Sequence, residues 1–115
     1  MLPKKNRLKK KKDFERVFKK SKGYKEDFLL LRVASNNLQF SRFGFVINQK
    51  VSKKATIRNR IKRRLRAVIR ENLPKIKKGV DGVIIVRPGM ESNNFKKIEE
   101  TIYRLIKKAK LLENG

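Results

Sequence analysis

The chain has 115 residues, with 34 Lys plus Arg against 10 Asp plus Glu and a formal net charge of +24. That length suits one domain with a modest core, and so large a charge opposes compaction unless a polyanion neutralises it, which makes nucleic acid the first partner to consider. The lack of Cys and His excludes zinc fingers, disulfide frameworks, thiol nucleophiles and imidazole bases. No apolar run approaches the roughly 20 residues of a membrane span and no secretory leader is present, so a soluble, cytoplasmic protein is expected.

Residues 1–12 carry seven cations and no acid and read as a mobile basic N-terminal arm; residues 13–112 read as a single α/β domain. Asp13 stands where it can cap a short helix in which Phe14, Val17 and Phe18 follow at helical spacing, until Ser21, Lys22 and Gly23 break the pattern. The apolar run Phe28 to Val33 predicts a largely buried strand, and Ser35, Asn36 and Asn37 predict a turn. A second strand region covers 38–47, with Phe43 and Phe45 on one face and Arg42, Gly44 and Val46 on the other. A basic helix follows and ends near Asn72, because Pro74 forbids continuation. Asp81 to Val86 is β-branched and continuous, as expected of a central strand covered on both faces. The last helix starts near Ser92 to Asn94 and aligns Phe95, Ile98, Ile102, Leu105, Ile106 and Ala109. This order predicts an α+β fold, one sheet with helices packed mainly on one side.

The basic helix is the most informative segment. Residues 50–66 hold nine cations and no acid, yet Ile57, Ile61, Leu65, Val68 and Ile69 recur at helical spacing. A disordered polycation needs no apolar stripe, whereas a helix with one apolar edge must dock, and docking fixes where its charges point. Asn59, Arg63, Arg66 and Arg70 fall near the pole opposite the stripe; Arg58 and Lys62 flank one edge, Arg60 and Arg64 the other. The ten carboxylates are scattered. The adjacent pairs Glu26–Asp27 and Glu99–Glu100 do not share a helix face, so no side-chain catalysis is expected.

The string Arg58-Asn59-Arg60-Ile61-Lys62-Arg63-Arg64-Leu65-Arg66 resembles the R-N-x-x-K-R-x-x-R signature of the protein subunit of bacterial ribonuclease P. Arg7-Leu8, Asp13-Phe14, Val17-Phe18, Gly44 ahead of Lys50, and Val83-Ile84-Ile85-Val86-Arg87-Pro88-Gly89 agree with that family in order and spacing. The resemblance implies a small two-layer α/β sandwich like the second domain of ribosomal protein S5, with the signature helix in a left-handed β-α-β crossover where general topology predicts a right-handed one. It also implies a function: binding a catalytic RNA that removes the 5′ leader of precursor tRNA by hydrolysis, with Mg2+ bound mainly by the RNA partner and substrate. The protein would be the noncatalytic subunit of that endoribonuclease, with no DNA or membrane partner.

On this reading Arg58, Asn59, Arg60, Lys62, Arg63 and Arg66 contact the catalytic RNA, since the planar guanidinium fork suits phosphate; the bland alternative is a solvated face with Asn59 merely capping. The resemblance implies a further phosphate contact at Lys50, with Gln49 where the family commonly has a second lysine and Lys53 or Lys54 as replacement. Phe14 and Phe18 taken alone look more like core, whereas the resemblance places them in a cleft that holds the single-stranded leader, where aromatic platforms bind any base. Leu31 joins that cleft by resemblance as an apolar contact, at a position where many relatives carry an aromatic. The arm, with Arg7, either tracks phosphates or serves as a solubilising terminus. The competing readings are a ribosomal or ribosome-assembly protein of similar charge, a DNA-binding regulator, which would need a groove-reading arrangement, and a metal-dependent nuclease, which would need clustered carboxylates.

Overall fold

The computed structural model describes residues 2–89 and 95–113. Its elements run α1 (Lys11–Lys20), β1 (Lys22–Glu26), β2 (Leu29–Ser35), β3 (Arg42–Ile47), α2 (Ala55–Asn72), β4 (Val80–Val86) and α3 (Phe95–Lys108). The strands form one sheet in the order β1-β2-β4-β3. β2 pairs antiparallel with β1 and β4, and β3 pairs parallel with β4, so α2 is the crossover between two parallel strands. β4 is central, as its unbroken hydrophobicity requires.

Register assigns every strand side chain to a face. Leu29, Leu31 and Val33 lie opposite Val86, Ile84 and Gly82, and on β3 Phe43, Phe45 and Ile47 join them. This face meets Ile61, Leu65 and Ile69 of α2 and Ile98, Ile102 and Leu105 of α3 in the main core. The other face carries Leu30, Arg32 and Ala34 of β2, Asp81, Val83 and Ile85 of β4, and Arg42, Gly44 and Val46 of β3. There α1 seats Val17 in a smaller cluster with Leu8, Ala34 and Val83. Two helices therefore cover one face and the third covers part of the other.

Several expectations need correction. The N-terminal segment is not a mobile arm: Leu2 is fully buried, the Leu8 amide donates to the Phe43 carbonyl at 2.9 Å, and the Asn6 side chain donates to the Ser41 carbonyl at 2.8 Å. These contacts line the free edge of β3 and satisfy backbone groups that would otherwise be open. Asp13 is no cap, because α1 begins two residues earlier behind an uncapped Lys10. β1 was not foreseen, since Lys-Gly-Tyr-Lys-Glu has no apolar alternation. It forms because Asp27, at φ 50°, closes a tight hairpin onto β2, and because Arg104 and Lys108 of α3 reach Glu26. The predicted start of the last helix, near Ser92 to Asn94, lies outside the described residues, and Phe95 is exposed instead of joining the apolar face. α2 does end at Asn72, with Pro74 in the 3-10 turn that follows.

Candidate nucleic-acid interface

The apolar stripe of α2 packs as its spacing demands, with Ile61, Leu65, Val68 and Ile69 buried. Away from the stripe, Asn59, Arg60 and Arg63 are exposed, while Lys62, Arg64 and Arg66 are half-buried. Asn59 lies in the second turn and does not cap; the cap position belongs to Lys54, which makes no capping hydrogen bond. No acid occupies the first turn of α2, so cations crowd a helix end whose dipole disfavours them. Just ahead, Val51 is buried as an anchor and the Arg58 guanidinium donates to the Ser52 carbonyl at 2.8 Å. Lys50 and Lys53 project from this turn into solvent.

Arg66 departs from its expected place on an open face. It lines a cleft of about 390 Å³ together with Arg7, Lys9, Lys62, Leu8, Phe14, Gly44 and the β3 phenylalanines. Its Nε is buried without a hydrogen-bond partner. Burial, and then the nearby Arg7 guanidinium, push the Arg66 pKa below its ordinary value. The lining contains four cations, three phenylalanines and no carboxylate, so the cleft is arranged to receive negative charge.

α1 supplies the aromatic wall. The Phe14 ring rests directly on Gly44, so tightly that a Cβ at that position would lie 2.7 Å from its Cε1. Phe18, one turn later, is 40% exposed, with the Arg32 guanidinium 6.0 Å from its ring centroid. Exposure at that level separates Phe18 from a core residue. Beyond the two rings, the uncovered part of the sheet face presents half-buried Leu30, Val46 and Ile85. Leu31 is not among them. It is 1% exposed and belongs to the core under α2 and α3, because neighbouring strand residues face opposite ways. The β2 side chains on the cleft face are Leu30, Arg32 and Ala34.

The same sheet face also carries a polar hub, which none of the sequence-based expectations contains. Asp81 is fully buried and accepts from Arg42 Nε and Nη2 at 2.9 and 2.7 Å, from the Asn36 amide at 2.9 Å, and from Arg16. Arg42 also lies 3.5 Å from Asp13, and its bonds to Asp81 raise its pKa. An acid opening an otherwise apolar strand was the available signal. Of the acidic pairs, Glu26 and Asp27 meet Arg104, Lys108 and Lys97, and Glu99 and Glu100 line a mixed-charge groove with Glu71, Lys75 and Arg104.

A polycationic helix beside a cleft that combines guanidinium groups with aromatic rings defines a nucleic-acid-binding α/β protein. The chain belongs to the ribonuclease P protein family, whose sequence profile, described as Ribonuclease P, matches residues 2–110. The ribonuclease P protein component of Synechocystis sp. is 43% identical over 99% of this chain and 93% of its own length. That of Microcystis aeruginosa is 42% identical over 96% of each chain. Among solved structures, the ribonuclease P protein of Staphylococcus aureus superposes with a TM-score of 0.86 at 25% identity, covering 94% of this chain and 98% of that one. The Thermotoga maritima protein gives 0.81 at 32% identity, covering 89% and 96%.

Proposed function

We propose that this protein is the noncatalytic subunit of a ribonuclease P holoenzyme in the cytoplasm, binding the catalytic RNA through α2 and the 5′ leader of precursor tRNA through the α1 cleft. The observation that carries this reading is the shared cleft, in which Phe14 stands beside Arg7, Lys9, Lys62 and Arg66. Aromatic walls next to cations hold single strands with little sequence preference, as variable leaders require. Exposed Arg60 and Arg63, with Lys50 and Lys53, suit the phosphates of a larger folded RNA.

Among the described residues no group of three or more Asp, Glu, His or Cys side chains could hold a metal ion. In this reading the ion is held by phosphates of the RNA and substrate. The protein's own part is to neutralise phosphates and orient the leader. Among the described residues no helix is long and apolar enough to cross a bilayer.

The test is a reconstituted holoenzyme with precursor and mature tRNA. Phe18→Leu should weaken precursor binding by about 1 kcal/mol or more, the value of one base-aromatic stack, and leave mature tRNA binding unchanged, since only the precursor has a leader. An unchanged precursor-to-mature affinity ratio would exclude the cleft as the leader site. If the protein does not support leader removal by the RNA at all, the ribosome-assembly reading takes its place.

A further inference from the structure

α1 is a poor helix by its own resources. It has 10 residues, below the roughly 12–15 at which an isolated helix becomes even marginally stable. Its N-cap Lys10 makes no capping bond, and Lys11 and Lys12 follow at the end where the dipole disfavours cations. Val17 is its one fully buried side chain. One buried residue is a keel: it can hold a helix against a sheet, but it cannot stop the helix from rolling.

The two flanks of that keel carry different chemistry. Successive helix residues are turned by about 100°, which places Asp13 and Arg16 on one side of Val17 and Phe14 and Phe18 on the other. Strand register agrees: Asp81, Ala34 and Arg42 form one row across the sheet, and Val83, Arg32 and Gly44 form another two residues away. Arg16 bonds Asp81 on the first side and donates to the Ser35 carbonyl at 2.9 Å. Asp13 faces Arg42 there at 3.5 Å. On the opposite side Phe14 bears on Gly44, and Phe18 lies beside Arg32.

We propose that Asp81 is a positioning residue for the leader cleft: by anchoring Arg16 directly and Asp13 through Arg42, it sets the roll of α1 and hence where the rings of Phe14 and Phe18 stand. Asp81 touches no RNA; it is wholly enclosed. A bidentate Arg42 pair fixes the carboxylate itself, since parallel N–H···O bonds define orientation as well as distance. The surrounding polar groups leave the carboxylate one preferred place, and Arg16 transmits that place to the helix. This inference rests on the cleft reading above.

Arg16→Gln tests it, because Arg16 is partly exposed and its loss cuts the tether without removing a core side chain. In the free protein labelled with 4-fluorophenylalanine, the 19F resonances of Phe14 and Phe18 should shift while those of Phe43 and Phe45 stay. In the reconstituted holoenzyme the precursor-to-mature affinity ratio should fall by about fivefold, as for one lost stacking contact, with catalytic RNA affinity unchanged. Arg16→Lys, which keeps a cation beside Asp81, should recover part of both effects. Asp81→Asn should show the same pattern with a larger loss of thermal stability, which is why Arg16 is the primary variant. Unmoved Phe14 and Phe18 resonances in folded Arg16→Gln protein would overturn the positioning role. So would an intact affinity ratio for Arg16→Gln when Phe18→Leu lowers it. An intact ratio for both variants, with shifted resonances, would instead overturn the leader-cleft reading on which the proposal depends.

Discussion

The ring of Phe14 fills the space beside Gly44: the phenyl from α1 lies where a β-carbon at position 44 of β3 would have to be. This contact joins the helix to the sheet within the cleft that Arg66 also lines. Gly44→Ala should therefore displace the ring and cost about 1–3 kcal/mol, the usual penalty of overpacking. Denaturation of Gly44→Ala, Phe14→Leu and the double variant checks it. The double variant should be destabilised by less than the sum of the two, because the smaller side chain removes the clash; strict additivity would show that ring and glycine do not meet.

Arg66 should be a liability to the free protein and an asset to the complex. Its Nε is buried unpaired and Arg7 repels it, so Arg66→Met keeps the aliphatic packing while removing a poorly solvated charge. The free variant should be as stable as the parent or slightly more so, whereas its RNA affinity should fall by about 1 kcal/mol or more, as for a lost charge-assisted bond. Thermal melts paired with RNA titrations measure both. Arg63→Ala, on the open face, should lower RNA affinity with no gain in stability.

Leu31 belongs to the core and not to the cleft. Leu31→Ala should cost about 2–5 kcal/mol of stability through the cavity it leaves, yet should not alter the precursor-to-mature affinity ratio measured on folded holoenzyme. Phe18→Leu should show the reverse pattern.

RNA affinity should fall steeply with salt, each neutralised phosphate adding about −0.7 to −0.9 to the slope of log affinity against log salt. A nearly flat dependence between low and physiological salt would rule out phosphate contacts as the main source of affinity. Sulfate should also raise the melting temperature more than chloride at matched ionic strength, since an anion bound between Arg7 and Arg66 favours the folded state by mass action whereas ionic strength alone only screens repulsion.

The chain's composition and periodicity were enough to establish a polyanion-binding α+β protein, because charge and helical spacing are local properties. Ile57 to Ile69 marked α2 and its buried edge, Pro74 marked its end, and the unbroken run Val83 to Val86 marked a central strand. Alternation along residues 42–46 correctly separated Phe43 and Phe45 from Gly44. Tertiary structure alone decided which face each alternation addressed. Leu31 lies one residue from the cleft face, and the pleat sends it to the opposite side of the sheet. The strand nature of Lys22–Glu26 came from pairing with β2, not from any pattern of its own, and the basic N-terminal residues were ordered by the open edge of β3. The Asp81 hub showed itself only as an acid in an otherwise apolar strand, since its partners Arg16, Asn36 and Arg42 lie between 39 and 65 residues away. A buried ion cluster is defined by convergence in space, and sequence spacing carries no trace of it.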